Sequence, residues 1–150
     1  MSETEAGASY VVGFMFSPAE SAVLLLRKKR PSWQEGKLNG IGGRIENGES
    51  PVQAMRRECI EEVGIVVDSW TEFCVLSDER GWRIHFFSSV GPILNASAMT
   101  DEKPEVVSAL ALPFNVIPNL KWLVPMALSM RFERVDYFDV VERQRQPALI

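Results

Sequence analysis

The sequence predicts an α/β fold, a mixed sheet flanked by helices, and three observations carry that expectation. Short strand-like runs recur along the chain, and two well-separated segments show helical spacing. The chain has 150 residues, which suits one compact domain burying about two-thirds of its unfolded surface. The expected organisation is a loose tail over 1–8 and a single domain over 9–150.

In chain order, "YVVGFMF" (10–16) and "AVLLLR" (22–27) read as strands joined by the turn-forming "SPAE". "KKRPSWQEGKLNGIGG" (28–43) is rich in Gly and Lys, has no period, and is expected to form one long loop with a functional role. Ser50 suits an N-cap, Pro51 the first helical position and Gly64 a C-terminal stop, which predicts a helix over 51–63. "EFCVLS" (72–77) and "WRIHFFSSV" (82–90) are strand-like and able to pair, and "EVVSALAL" (105–112) is a further candidate strand. "PNLKWLVPMALSM" (118–130) has helical spacing with Trp122 on its apolar face, but Pro125 is expected to kink or break it. "RFERVDYFDV" (131–140) is expected to be the last strand.

A net charge of −4 argues against binding a nucleic-acid polymer, which calls for a basic surface. It is compatible with a single nucleotide held through a metal ion. "MSETEAGASY" has neither the basic nor the apolar region of a secretory signal, and runs such as "AVLLL" are far too short to span a bilayer. The expectation is a cytoplasmic protein without membrane contact, in which Cys59 and Cys74 are reduced core thiols. His85, the only histidine, lies in a strand-like run and is expected to be structural.

The stretch "GGRIENGESPVQAMRRECIEEVGI" (42–65) gathers Glu46, Glu49, Glu58, Glu61 and Glu62 around one short helix. At about 100° per residue, Val52, Met55, Cys59 and Val63 share one arc, the expected core stripe. Glu58, Glu61 and Glu62 share the adjacent arc, where like charges cost a few tenths of a kcal/mol per pair. Arg57 offsets part of that cost. A divalent cation offsets more: Mg²⁺ prefers oxygen ligands, takes one or two carboxylates, and fills its other positions with waters and phosphates.

From Gly43 the pattern runs Gly, five residues, Glu49, seven residues, Arg57-Glu58, Cys59, Ile60, Glu61-Glu62, Val63, Gly64, Ile65. It resembles the signature of the Nudix hydrolases with every fixed Gly, Glu and Arg filled; Cys59 stands where an aliphatic residue is usual. The resemblance implies the family's α/β/α sandwich and hydrolysis of a nucleoside diphosphate linked to another moiety, with Mg²⁺ or Mn²⁺ as cofactor. Glu58, Glu61 and Glu62 match the metal-binding glutamates, and the Gly42 carbonyl adds a ligand in some members. Glu49 matches the glutamate that supports the site, and Arg57 the arginine that orients the carboxylates.

Relatives take their general base either from the box, as Glu61 or Glu58 would be here, or from a distant loop. "TDEKPEVV" (100–107) offers Glu102 and Glu105 for that role or as a metal ligand; both fit solvated loop charges as well. "KLNGIGG" resembles the stretch of oxidised-purine nucleoside triphosphate diphosphatases in which the asparagine matching Asn39 contacts the base. Asn39 fits a turn equally. Trp33 suits stacking on a base or capping the core, and Arg44 beside the box is a further substrate candidate. Lys28, Lys29 and Arg30 suit a phosphate-attracting run or a solvated face. Asn119-Leu120 occupies the place of an acidic pair in such enzymes; an asparagine there can still read a base edge.

The implied function is a Mg²⁺-dependent pyrophosphohydrolase that cleaves a nucleoside triphosphate, with an oxidised or modified purine as the finer expectation, to monophosphate and pyrophosphate. The alternatives are hydrolysis of ADP-ribose, a nucleotide-sugar or a dinucleotide, and a catalytically silent nucleotide-binding module. The assembly expected is a monomer or homodimer.

Overall fold

The computed structural model describes residues 7–133 and 137–143. Strands β1 (Ser9–Phe16), β2 (Ala22–Arg27), β3 (Leu38–Asn39), β4 (Ile41–Arg44), β5 (Thr71–Asp78), β6 (Arg83–Val90), β7 (Pro104–Ser108) and β8 (Phe138–Glu142) form one mixed sheet. The helices are α1 (Pro51–Val63) and α2 (Leu120–Glu133). The strand order is β3-β2-β1-β6-β5-β8, with β4 on β1 and β7 on β2. β1 and β6 run parallel at the centre, from Ser9 opposite Arg83 to Phe16 opposite Val90.

Why the early strands read as unbroken apolar runs follows from their two buried faces. Phe14, Phe16, Val23 and Leu25 point into a core with Leu120, Leu123, Val124 and Ala127 of α2. Val11, Met15, Leu24 and Leu26 point the other way, against Ala54, Met55, Cys59 and Val63 of α1. The sheet is therefore sandwiched between the helices, as expected. Cys59 and Cys74 are free and buried, and burial pushes the thiols up to about 12 and about 11.

Along one edge β1 changes partner. β2 pairs with Met15 and Phe16, whereas β4 pairs with Tyr10 to Gly13. This brings the Gly-rich segment against the N-terminal half of β1.

Several expectations need correction. Residues 28–43 are not one loop: they hold a 3-10 turn (Ser32–Gln34), β3 and most of β4. The strand expected over 105–112 ends at Ser108, whose hydroxyl accepts the Ala111 N–H at 3.1 Å and turns the chain. α2 passes through Pro125 unbroken to Glu133, so 131–133 are helix and the last strand begins at Phe138. Pro125 lies on the exposed side, where the carbonyl freed of its N–H partner can meet water. Trp122, expected in the core, is 39% exposed. Of the expected tail, residues 1–6 lie outside the described residues, while Ala8 is buried and its carbonyl accepts the Arg83 N–H at 3.0 Å. Among the described residues no helix is long and apolar enough to cross a membrane.

Candidate active site

Helix α1 is fixed at both ends by its own sequence. The Ser50 hydroxyl accepts the Gln53 N–H, and the Gln53 side chain accepts the Ser50 N–H. Gly64 stops the helix in the left-handed region at φ 72°. With Met55, Cys59 and Val63 turned to the core, the carboxylate flank must face β4.

Arg57 organises that flank. Its Nε and Nη2 donate to the two oxygens of Glu49 at 2.7 and 2.9 Å, a paired fork-to-carboxylate contact. Its Nη1 donates to Glu58 at 2.9 Å and to Glu61 at 3.1 Å, and Nη2 also reaches the Arg44 carbonyl. Arg57, with help from the Glu46 N–H, holds the Glu49 carboxyl below the usual range. These contacts tie the loop before the helix to the helix itself.

Glu58 is 8% exposed and lies against β4 so closely that a Cβ on Gly43 would overlap its carboxylate. Glycine at 43 is thus a requirement of close approach. Glu62 accepts the Gly42 N–H at 3.3 Å. Burial and the charge of Glu58 push the Glu62 carboxyl up to about 8, against the pull of Lys28 and the Gly42 N–H. Burial also raises Glu58, although Arg57 opposes it. This pair is short of positive charge.

The three glutamates expected as metal ligands differ in burial and pairing. Among the described residues no three His, Cys, Asp or Glu side chains are gathered to hold an ion by themselves. Glu58 and Glu62 are brought together, while Glu61 stands more exposed and paired to Arg57. The buried Glu58 and half-buried Glu62 still fit a hard divalent cation, which needs only one or two protein carboxylates and would supply the missing charge.

Glu102 is buried, but its oxygens are already committed. It accepts from Lys28 Nζ at 2.9 Å, the Lys29 N–H at 2.7 Å and the Arg30 N–H at 3.3 Å. Burial pushes its carboxyl up, yet these donors outweigh burial and leave it lowered. Glu105 is paired with Arg27 instead. His85 is paired with Glu72 of the neighbouring strand β5.

Beyond Gly42 and Gly43 opens a cavity of about 530 Å³, a size suited to a small-molecule ligand. Asn39, Asn119, Trp33 and Arg44 all line it, so the structure gathers the four substrate candidates. Tyr10, Val12, Phe86 and Ile117 give it an apolar floor. Sequence reasoning missed Gln34 and Gly40, which also line it; only the fold brings Gln34 there. The Asn119 Oδ1 is buried without a hydrogen-bond partner.

A carboxylate pair on one side of β4 and a ligand-sized cavity on the other make a site able to hold a divalent cation beside a small-molecule ligand. The Nudix domain model matches residues 8–128, and the chain belongs to the Nudix family, hydrolases of phosphoric anhydride bonds that generally need a divalent metal. It is 27% identical over 122 residues to an oxidized purine nucleoside triphosphate hydrolase of Danio rerio, covering 77% of each chain. A NUDIX hydrolase of Nitrosomonas europaea superposes with a TM-score of 0.76 at 18% identity, over 95% of this chain and 82% of that one. The NUDIX domain of Shewanella oneidensis NrtR, solved with ADP ribose, gives a TM-score of 0.66 at 17% identity, over 87% and 92%.

Proposed function

We propose that this chain is a Mg²⁺-dependent pyrophosphohydrolase that cleaves a nucleoside triphosphate with an oxidised or otherwise modified purine to the monophosphate and pyrophosphate. It would work in the cytoplasm as a monomer or homodimer. The observation that carries this reading is a cavity lined by Asn39, Asn119, Trp33 and Lys28 that ends at Gly42 and Gly43, the β4 glycines against which Glu62 and Glu58 lie. The named activity of the Danio rerio relative supports it.

In this reading Glu58 and Glu62 hold the cation, with Glu61 and the Gly42 carbonyl completing the set. When bound, Mg²⁺ (or Mn²⁺) neutralises the diphosphate and acidifies the attacking water. Arg57 and Glu49 keep the carboxylates aimed. Glu61, the more exposed member, is the candidate general base. Glu102 serves by fixing Lys28, which lines the cavity and faces the phosphates. Trp33 and the apolar floor sandwich the base, Asn39 and Asn119 read its edge, and Arg44 borders the sugar and phosphates.

The test is a Mg²⁺-dependent hydrolysis screen over ordinary and oxidised nucleoside triphosphates and ADP-ribose, with product analysis, on wild type and Glu62→Gln. Monophosphate and pyrophosphate from a modified purine triphosphate, lost in Glu62→Gln, is the expected result. Preferential cleavage of ADP-ribose would replace the substrate, and activity unchanged in Glu62→Gln would overturn the mechanism.

A further inference from the structure

Gln34 is 8% exposed, lines the cavity, and enters a short chain of hydrogen bonds. The Gly40 backbone N–H donates to Asn39 Oδ1 at 2.8 Å, and Asn39 Nδ2 donates to Gln34 Oε1 at 3.1 Å. Side-chain amides look alike when turned end for end, but a backbone N–H can only donate. Gly40 therefore fixes Asn39 with its oxygen inward, and Asn39 in turn fixes Gln34 with Oε1 toward itself. The other end of Gln34, Nε2, is thereby turned away from Asn39. Each amide oxygen is held against a donor, and the hydrogens left over for a ligand are N–H groups, one on Asn39 Nδ2 and two on Gln34 Nε2.

We propose that Gln34 is a specificity-determining residue, which locks Asn39 so that this wall selects a base edge carrying a keto oxygen over one carrying an amino group. The inference rests on the cavity receiving a nucleobase, as in the function proposed above. An amino group there meets donors on both sides, and a polar group buried against its own kind is strongly disfavoured.

Inosine and adenosine 5′-monophosphates differ in this one edge, keto with ring N–H against amino with a bare ring nitrogen. Their dissociation constants are measured by titration calorimetry on wild type, Gln34→Met and Gln34→Glu, beside hydrolysis of the matching triphosphates. Wild type is expected to bind the inosine nucleotide roughly ten-fold or more tightly. Gln34→Met, which frees Asn39 to turn, narrows that ratio; Gln34→Glu, which sets a carboxylate where Nε2 stood, narrows or inverts it. A purely structural role for Gln34 would weaken both nucleotides equally.

A wild-type ratio near one, or a ratio unmoved in both variants, overturns the inference. So does failure of the inosine monophosphate to bind. If the ratio behaves as expected but no triphosphate is cleaved, the proposed reaction falls and the role of Gln34 stands.

Discussion

At the scale of single residues, Glu62 carries two opposed consequences. Its carboxyl is raised from 4.5 to about 8, so within that window the folded chain keeps a proton that the unfolded chain has released. The unfolded state then binds fewer protons, and stability of the metal-free protein falls as pH rises through the window. Melting in EDTA at about pH 5 and about pH 9 should show that fall in wild type and a smaller one in Glu62→Gln. At the higher pH the variant should melt above wild type, by a few degrees for about 1 kcal/mol, although it hydrolyses nothing. Gly43→Ala makes the complementary point. Its new Cβ would collide with the Glu58 carboxylate, so we expect lost hydrolysis together with a destabilisation of about 1–3 kcal/mol in thermal or urea melts.

At the scale of elements, α1 depends on a few local signals. Ser50→Ala should cost about 1 kcal/mol by urea denaturation, since it removes one half of a reciprocal cap. In α2, Pro125→Ala should raise the melting temperature, because it restores a backbone N–H to an exposed turn of helix. Legibility in the sequence follows the same division between local and distant causes. Ser50, Pro51 and Gly64 mark α1 through contacts within a few residues, and the core stripe Met55, Cys59, Val63 follows from spacing alone. β3 and β4 escaped notice because two- and four-residue strands interrupted by glycine have no period to read. Pro125 misled because its effect depends on which side of the helix meets water. The carboxylate pair was readable from the spacing of Glu58 and Glu62, but the depth to which β4 buries it was not. Nor was Gln34, whose partner Asn39 and cavity are supplied by the fold.

At the scale of the whole molecule, the sheet serves two cores, with β1 and β2 giving alternate side chains to each. Phe14, in contact with Phe73 and Phe86 at ring-centroid distances of 6.2 and 6.1 Å, anchors the α2 side. Phe14→Ala should cost about 3–5 kcal/mol by urea denaturation, with little change in kcat at temperatures where the variant stays folded. The carboxylate helix belongs to the other core, whereas Phe86 and Ile117 of the cavity floor share this one, so stability and KM suffer more than kcat.

The narrow β4 segment at Gly42 and Gly43 stands between the carboxylates and the cavity. Only main-chain atoms form that partition at these two positions, and no side chain from them relays a change on one side to the other. Alterations at Trp33, Gln34 or Asn119 should therefore combine additively with alterations at Glu49 or Arg57. Descendants of such a chain are free to diversify what they recognise while inheriting the bond-breaking apparatus intact.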